Sequence, residues 1–376
     1  MKNVILGLYS LFLVFITIFS YLFVDPNLIY LKKIFTGFAF TQRPIVTIIY
    51  SLIIVIFFAF YLILLYYFKK KIFAFREFKL IVALTALILF FAYPAMVSYD
   101  IFNYLATAKV LFLYHENPYL VMPIQFTGDP MLLFMHAANK TALYGPIWIL
   151  LTGIPYLSGF GNFLITLFSF KFFTTIFYFL TVVLLLRMSK NVFLTSLFAL
   201  NPLIILEVVA SGHNDIVMMF FALLSIYFLK ERKIILFFTF IFFSILIKFA
   251  TLFLLPVFAY VFFNYFKNKK VDWEKVYYLS SLLMLLVFFL SPIREEIYPW
   301  YAVWFLIFVP LIKDRIMKYI YFAFSFSLLF RDLPFMLLGT YFGSTPIIKF
   351  IFTFLPVTVV IVFLLSEQLW QKYRYR

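Results

Sequence analysis

The sequence predicts an all-α polytopic membrane protein, and three observations lead to this prediction. Of 376 residues, 66% are hydrophobic and 12% are charged, whereas a soluble domain has about 45–50% apolar and about 25% charged residues. The apolar residues form runs close to the roughly 20 residues that a membrane-spanning helix needs. The net charge is +16, and most cations lie in short segments between these runs. These features exclude a soluble globular protein.

Ten apolar runs are predicted to span the membrane, because each is close to the thickness of the bilayer core. They cover residues 4–24, 45–68, 79–97, 162–186, 192–210, 215–229, 276–292, 299–312, 317–337 and 346–366. The first run lacks a small-residue cleavage site, so we expect a retained helix rather than a signal peptide. The whole pattern favours one integral-membrane domain over residues 1–376 with about 10–12 membrane segments.

Two further stretches are too irregular for a simple span. Residues 143–160 contain three glycines and two prolines, which is typical of an interfacial or half-inserted segment. Residues 234–263 are too long for one helix and are interrupted by Lys248 and Pro256. This second pattern predicts two half-helices that return to the same side of the membrane.

The distribution of cations predicts the orientation. Twenty-one of the 31 Lys and Arg residues lie at Lys2 and in residues 69–79, 187–190, 230–233, 267–275, 313–318 and 372–376. Cytoplasmic loops carry such an excess, so we expect both termini inside the cell. The long loop at about 98–142, the tip at 212–215 and the loops at 294–300 and 331–334 are then external. Such charge anchors a protein to membrane lipids, and we expect no nucleic-acid partner.

Cysteine and histidine usage limits the chemistry. The chain has no Cys and three His, at positions 115, 136 and 213. A disulfide framework and a thiolate metal site are therefore excluded, and the wide spacing of the histidines argues against a zinc centre.

Several polar residues fall at the predicted external ends of helices. Asp100 follows the third span directly, either as a functional carboxylate or as a helix-end residue. The tip between two spans contains His213, Asn214 and Asp215. Asn214 and Asp215 could also be N-caps of the next helix, but that explanation does not extend to His213.

Ionisable residues at membrane depth are candidates for function because burying them is costly. Lys248 lies near the tip of the broken hairpin, where it needs an anionic partner unless it snorkels to the interface. The partner could be a substrate phosphate or a carboxylate. Glu207 and Lys171 are interpreted as snorkelling or helix-end residues.

The segment 298–304 reads YPWYAVW. Its Tyr298, Trp300 and Tyr301 could form an aromatic belt at the membrane interface. The same residues also offer ring faces and hydroxyls suited to a sugar.

Six motifs in order resemble the GT-C superfamily of integral-membrane glycosyltransferases. The similarity is to polyprenyl-phosphomannose-dependent mannosyltransferases, among them the actinobacterial α-1,6-mannopyranosyltransferases and, more distantly, the first glycosylphosphatidylinositol mannosyltransferase. The motifs are YDIFNY (99–104), HENPY (115–119), YGPIW (144–148), NPLIILEVVASGHND (201–215), IKFATLFLLP (247–256) and YPWYAVW (298–304).

The resemblance implies that Asp100 is the catalytic base. A second acidic residue, frequent beside it in the family, is missing because Tyr99 and Ile101 flank Asp100. We therefore expect no cofactor, although a divalent cation on Asp100, His213 and Asp215 remains an alternative. The predicted substrate-binding residues lie in these motifs, except Arg294, which is included as a cation near the predicted external interface: Asn117, Tyr119, Tyr144, His213, Asn214, Asp215, Lys248, Arg294, Tyr298, Trp300 and Tyr301. Among these, Arg294, Lys248 and His213 are the candidates for holding a phosphate.

The function implied by the resemblance is transfer of a hexose, expected to be mannose, from a polyprenyl-phosphate-linked donor to a hydroxyl of a glycolipid or glycan acceptor. One carboxylate is enough for a single displacement, so the anomeric configuration would be inverted. A membrane transporter or lipid-linked sugar flippase is the alternative, because carriers also contain broken helices. A structural or assembly protein would leave the clustered polar residues unexplained.

Overall fold

The computed structural model describes residues 2–31, 37–293 and 296–374, and every regular element in these ranges is helical. The helices of the first half are α1 (Lys2–Ser20), α2 (Phe38–Thr41), α3 (Arg43–Lys69), α4 (Phe75–Phe90), α5 (Asp100–Phe112), α6 (Pro146–Leu157), α7 (Phe163–Ser189), α8 (Val192–Ala199) and α9 (Pro202–Ile204). Those of the second half are α10 (Asp215–Lys230), α11 (Ile234–Ile247), α12 (Leu255–Phe266), α13 (Trp273–Leu290), α14 (Val303–Leu306), α15 (Arg315–Phe330), α16 (Leu333–Leu338) and α17 (Thr345–Arg374).

Shorter turns connect these helices. One turn of π-helix covers Ile205–Ala210, and 3₁₀ turns lie at Tyr21–Phe23, Pro94–Met96, Pro123–Gln125, Pro130–Leu133, Phe249–Leu254, Ser291–Ile293 and Pro299–Ala302. Two of the 3₁₀ turns belong to the long loop at 98–142, where Lys109 of α5 forms an ion pair with Asp129 (2.7 Å). The long loop is therefore attached to α5 along its length.

Seven helices of the described part are long and apolar enough to cross a membrane, and the number rises to eight with a pair bent by 51°. The seven are Lys2–Phe23, Arg43–Lys69, Phe163–Ser189, Phe249–Phe266, Trp273–Ile293, Arg315–Leu338 and Thr345–Gln368. The bent pair is Val192–Ala199 with Pro202–Ala210, and Pro202 accounts for the bend because it lacks a backbone N–H. The protein is thus an all-α multi-pass membrane protein, as predicted.

The prediction of a span at 299–312 was wrong. This segment forms the 3₁₀ turn Pro299–Ala302 and the four-residue helix α14. Residues 302–308 are all buried, so their apolar character reflects packing inside the protein rather than contact with lipid. Composition alone does not distinguish these two environments.

Both irregular stretches are broken into short helices as predicted; Phe249–Phe266 is nevertheless long and apolar enough to cross a membrane, so half-insertion of the hairpin stays a prediction. Helix α6 has 12 residues, about 18 Å at 1.5 Å per residue, and is too short to cross a bilayer core of about 30 Å. In the predicted hairpin, Lys248 separates α11 from the next 3₁₀ turn. The Tyr265 hydroxyl at the end of α12 donates to the Leu229 carbonyl (2.8 Å) before α11 begins, so the chain returns to the same side.

The basic segments meet at one end of the bundle, which we call the basic end. Arg187 lies over the Tyr227 ring (5.0 Å), Lys230 lies over the Trp273 ring (5.9 Å), and Lys313 pairs with Glu274. Asp100, the tip at 212–215 and the start of α17 lie at the other end, which we call the cavity end. This separation matches the predicted grouping of the loops.

Candidate active site

A cavity of about 430 Å³ opens at the cavity end. The polar residues of its lining, with Trp300 and Met336, come from the start of α3, the segment 98–103 at the start of α5, the long loop, the segment 296–300, and the region from Asp332 to the first turns of α17. They are Arg43, Ser98, Tyr99, Asp100, Asn103, His136, Glu296, Tyr298, Trp300, Asp332, Met336, Tyr341 and Lys349. The volume is within the range of ligand pockets, about 300–1,000 Å³.

Asp100 is the first residue of α5 and lies on the wall of this cavity. Its backbone N–H donates to Ser98 Oγ (3.2 Å), and the Asn103 amide nitrogen approaches Oδ1 at 3.4 Å. Its side chain is 26% exposed. The helix N-terminus stabilises a carboxylate at this position, so α5 holds a charged oxygen at the cavity surface.

His213 lies behind Asp100 and is fully buried. Its Nδ1 is 3.8 Å from Asp100 Oδ2, and its Nε2 is 3.1 Å from Glu207 Oε2. The Trp300 ring is stacked on the imidazole with a centroid distance of 4.1 Å. These contacts hold the imidazole ring in place between the two carboxyl groups.

The interpretation of Glu207 as a snorkelling or helix-end residue was wrong. Glu207 is fully buried in the π-helical turn and lies beside His213. Single π-turns are frequent at functional sites, and this turn directs the carboxyl group inward. Lys171 does not snorkel either, because it is fully buried within α7; its Nζ instead donates to the Leu89 carbonyl in the last turn of α4 and to the Ala92 carbonyl just after it.

The tip reaches α5 through a glycine. Gly212 has φ +81°, and a Cβ placed there would be 3.0 Å from Ile101 Cδ1. Glycine adopts this backbone conformation without steric cost. It therefore allows the tip to pack closely against α5 and places His213 next to Asp100.

Asp215 forms a second centre, deeper in the protein. Its Oδ1 accepts hydrogen bonds from Lys248 Nζ (2.9 Å) and from Trp304 Nε1. The Lys248 ammonium also lies over the Tyr301 ring, 4.3 Å from its centroid. The predicted anionic partner of Lys248 is therefore a carboxylate of the protein.

Asn214 joins the tip to α5 through Tyr104. Its side chain makes no capping hydrogen bond; instead Oδ1 accepts from the Tyr104 hydroxyl (3.2 Å). The Tyr104 ring packs edge-on against Tyr144 at 4.9 Å. The Tyr119 hydroxyl in turn donates to the Tyr144 carbonyl (2.8 Å). Tyr119 and Tyr144 thus connect the long loop to the tip.

The YGPIW motif meets the broken hairpin directly. The Gly145 N–H donates to the Ile247 carbonyl (3.0 Å), next to Lys248. A Cβ on Gly145 would lie 2.1 Å from the Leu246 carbonyl oxygen, so only glycine permits this approach. Asn117 is exposed and accepts from the Tyr119 N–H in its own turn (3.0 Å).

Four charged residues beside the cavity were not predicted as site residues from the sequence. Lys349 pairs with Glu296 (2.7 Å) and Asp332 (2.9 Å), and Arg331 also pairs with Glu296 (2.6 Å). Arg331 and Lys349 are buried. These two cations and two carboxylates balance in charge, so the network leaves no unpaired cation among its own members.

Arg43 was also not predicted from the sequence. Unlike Arg331 and Lys349, it is not part of the ion-pair network. It lines the cavity, and Nη1 donates to the Met336 carbonyl (3.3 Å). Among the described residues it forms no ion pair. Gly339 makes room for it, since a Cβ there would lie 2.7 Å from Arg43 Cζ. No local pattern around residue 43 suggested this role, because an arginine at a helix end is ordinary at a membrane interface.

His136 provides an aromatic surface on the same wall. Its ring stacks on Tyr99 with a centroid distance of 3.9 Å. Partial burial lowers the pKa of His136, only partly opposed by Asp25. Burial thus disfavours the charged form of this ring.

The predicted residues thus divide into groups. Asp100, Tyr298 and Trp300 line the cavity; His213 lies directly behind it; Asn214, Asp215, Lys248 and Tyr301 form the layer below. Tyr119 and Tyr144 support the loop, and Asn117 is not among the described lining residues. Arg294 lies outside the described residues.

The sequence left open whether Asp100, His213 and Asp215 bind a divalent cation. Within the described ranges, no three His, Cys, Asp or Glu side chains are grouped as ligands of a metal ion. Several buried polar atoms do cluster without hydrogen bonds there: Asn103 Oδ1, Glu207 Oε1 and Oε2, His213 Nδ1 and Nε2, Asn214 Nδ2 and Asp215 Oδ2. Each such unpaired buried atom calls for an explanation, a functional role being one, and those of Asn103 and His213 belong to side chains next to Asp100.

Comparison with known proteins gives one finding. Residues 4–264 match the family described as alpha-(1->6)-mannopyranosyltransferase, N-terminal domain. No match was found among curated proteins or among solved structures.

Proposed function

The chain belongs to the alpha-(1->6)-mannopyranosyltransferase family, and on this premise we propose that it transfers mannose from a polyprenyl phosphate to a glycolipid or glycan hydroxyl. The observation that carries the proposal is the position of Asp100 at the N-terminus of α5, on the wall of a 430 Å³ cavity with Tyr298 and Trp300. The carboxylate is a base, and the aromatic rings can stack on a sugar. We further propose that the cavity faces the outside of the cell, since the basic end carries the cationic segments.

In the proposed reaction the acceptor hydroxyl oxygen attacks the anomeric carbon of the donor. Asp100 takes the hydroxyl proton as the new carbon–oxygen bond forms. The bond between the anomeric carbon and the phosphate oxygen breaks, and polyprenyl phosphate leaves with the electron pair. A single displacement inverts the anomeric configuration. His213 holds Asp100 in position from behind and does not itself face the cavity.

The departing phosphate needs a cation. Lys248, proposed for this role from the sequence, is paired with Asp215, and Lys349 is paired with two carboxylates. Arg43 lines the cavity and binds only a backbone carbonyl among the described residues. We therefore assign the phosphate to Arg43, whose guanidinium can bind two phosphate oxygens at once.

The proposal is tested with the purified full chain in nanodiscs, supplied with a glycolipid acceptor and one of two donors. Polyprenyl phosphomannose should be consumed, whereas a nucleotide-linked mannose should not be. Nuclear magnetic resonance of the product should show the anomeric configuration opposite to that of the donor. Transfer from the nucleotide donor alone, or retention of configuration, would overturn the proposed chemistry. Movement of the intact lipid-linked sugar across the bilayer without transfer would support the flippase alternative.

A further inference from the structure

A second cavity, of about 360 Å³, lies at the basic end of the bundle. Helix α3 connects the two cavities, because Arg43 at its start lines the first and Lys69 at its end lines the second. These residues are 26 positions apart, about 39 Å along a helix. The second cavity is therefore separate from the proposed active site, and we call it the basic groove.

The basic groove is apolar inside. Its inner wall consists of buried aromatic and aliphatic side chains from α3, the end of α14 and the segment after it, and α15, namely Tyr61, Leu65, Leu306, Val309 and Tyr321. At its mouth, Leu62 and Tyr319 are 52% and 50% exposed. The apolar groove thus opens between the exposed side chains of Leu62 on α3 and Tyr319 on α15.

Three cations lie at one end of the basic groove. Lys69 and Arg315 are exposed, and Lys318 is half-buried. None of the three forms an ion pair with a carboxylate in the part of the chain that the structure describes. Nearby, Lys313 is different, because it pairs with Glu274. The three cations therefore remain available to an anion at the level of the membrane surface.

We propose that the basic groove binds an anionic phospholipid, with the phosphate on Lys69, Arg315 and Lys318 and one acyl chain between α3 and α15. The charge of the phosphate matches the three cations, and an acyl chain matches the apolar wall and its sideways opening. A soluble anion would not use the apolar wall, and a zwitterionic lipid would gain little from three unpaired cations. Each Lys or Arg near an anionic membrane surface contributes about fivefold to affinity.

The test measures lipid retention by native mass spectrometry, with the full chain purified from nanodiscs of phosphatidylcholine containing phosphatidylglycerol. We expect one phosphatidylglycerol to remain bound at low detergent and its affinity to fall roughly fivefold in Lys318→Gln. The triple variant Lys69→Gln/Arg315→Gln/Lys318→Gln should lose binding. A charge-matched control, Lys70→Gln/Lys71→Gln/Lys190→Gln, removes three cations from the same end but none from the described lining, and should retain the lipid.

A second variant tests the contribution of the acyl chain to lipid binding separately from that of the cations. Leu197 lines the groove, and Leu197→Trp should reduce retention of phosphatidylglycerol while leaving all three cations in place. Equal retention of phosphatidylcholine and phosphatidylglycerol, or equal losses in the triple variant and its control, would overturn the proposal. Displacement of the lipid by inorganic phosphate alone would also overturn it, because the acyl chain would then contribute nothing. None of these outcomes depends on mannosyl transfer.

Discussion

Asp100 and Asp215 each occupy the first position of a helix at the cavity end, α5 and α10. Asp100 is 26% exposed on a cavity wall and has a histidine 3.8 Å away. Asp215 is fully buried and binds Lys248 and Trp304. A general base needs access to its substrate, as Asp100 has. The charge of Asp215, in contrast, is balanced by Lys248 inside the protein. The same residue type at the same helix position thus suits a catalytic role at Asp100 and a structural role at Asp215.

The largest effect is expected from Asp100→Asn. The amide keeps the shape of the side chain but does not accept the acceptor proton, so kcat should fall by about 10²–10⁴. The unfolding midpoint and the KM for the donor should stay near those of the wild type. As a control, Asp129→Asn alters an aspartate of the same loop that pairs with Lys109, and it should keep kcat. A normal kcat for Asp100→Asn would make Asp100 a helix-end residue and remove the contrast with Asp215.

Much of the fold was predictable because its signals are local. Pro256 and Lys248 interrupt an apolar run and mark the broken hairpin, and the breakers after Gly145 mark the short helix α6. The error at 299–312 has a physical cause: residues buried among helices and residues facing lipid are equally apolar. Hydropathy therefore locates the apolar segments, but it does not distinguish those that face lipid from those that are buried among other helices.

The site was predictable only where polar residues concentrate in the sequence. The tip at 212–215 and the run at 298–304 stand out for this reason, and the structure joins them through the stacking of Trp300 on His213. Arg43 donates to the Met336 carbonyl, which is 293 positions away in the chain. The sequence around residue 43 gives no sign of such a contact. Glu207 was misread because its partner, His213, is reached only through the wide π-turn.

The second prediction concerns the buried pair. Lys248→Met leaves the Asp215 carboxylate without its cation in a fully buried position, and breaking such a pair costs about 3–5 kcal/mol. Denaturant unfolding in detergent should show this loss. The double variant Asp215→Asn/Lys248→Met removes both charges and should recover most of the stability. Unchanged stability together with weakened donor binding in Lys248→Met would instead make Lys248 a phosphate ligand.

The third prediction compares two cations. Arg43 binds a backbone carbonyl, whereas Lys248 binds a carboxylate, so only Arg43 should affect the donor directly. Arg43→Gln should raise the donor KM roughly tenfold to a hundredfold, since a hydrogen bond to a charged group contributes about 1.5–3 kcal/mol. The unfolding midpoint should change little, and Arg43→Lys should recover part of the affinity. An unchanged KM would exclude Arg43 from the phosphate site.

The smallest effects are expected from replacing Trp300, which stacks on His213 beside Asp100, and Trp304, which donates to Asp215. Trp300 stacks on His213 and, with a centroid distance of 4.5 Å, on Tyr298. Trp300→Leu keeps an apolar side chain but loses the stacking, which is worth about 0.5–1.5 kcal/mol. If His213 positions Asp100, this loss should appear mainly in kcat, as a decrease of about twofold to tenfold.

Trp304→Phe is the matched variant at the other centre, because it removes the N–H that donates to Asp215 and keeps an aromatic ring. It should lower stability and leave kcat per folded molecule near the wild-type value. Measuring kcat and the unfolding midpoint for both variants separates the two centres. If Trp300→Leu affected only stability, as we expect of Trp304→Phe, His213 would be a packing residue and would not position Asp100.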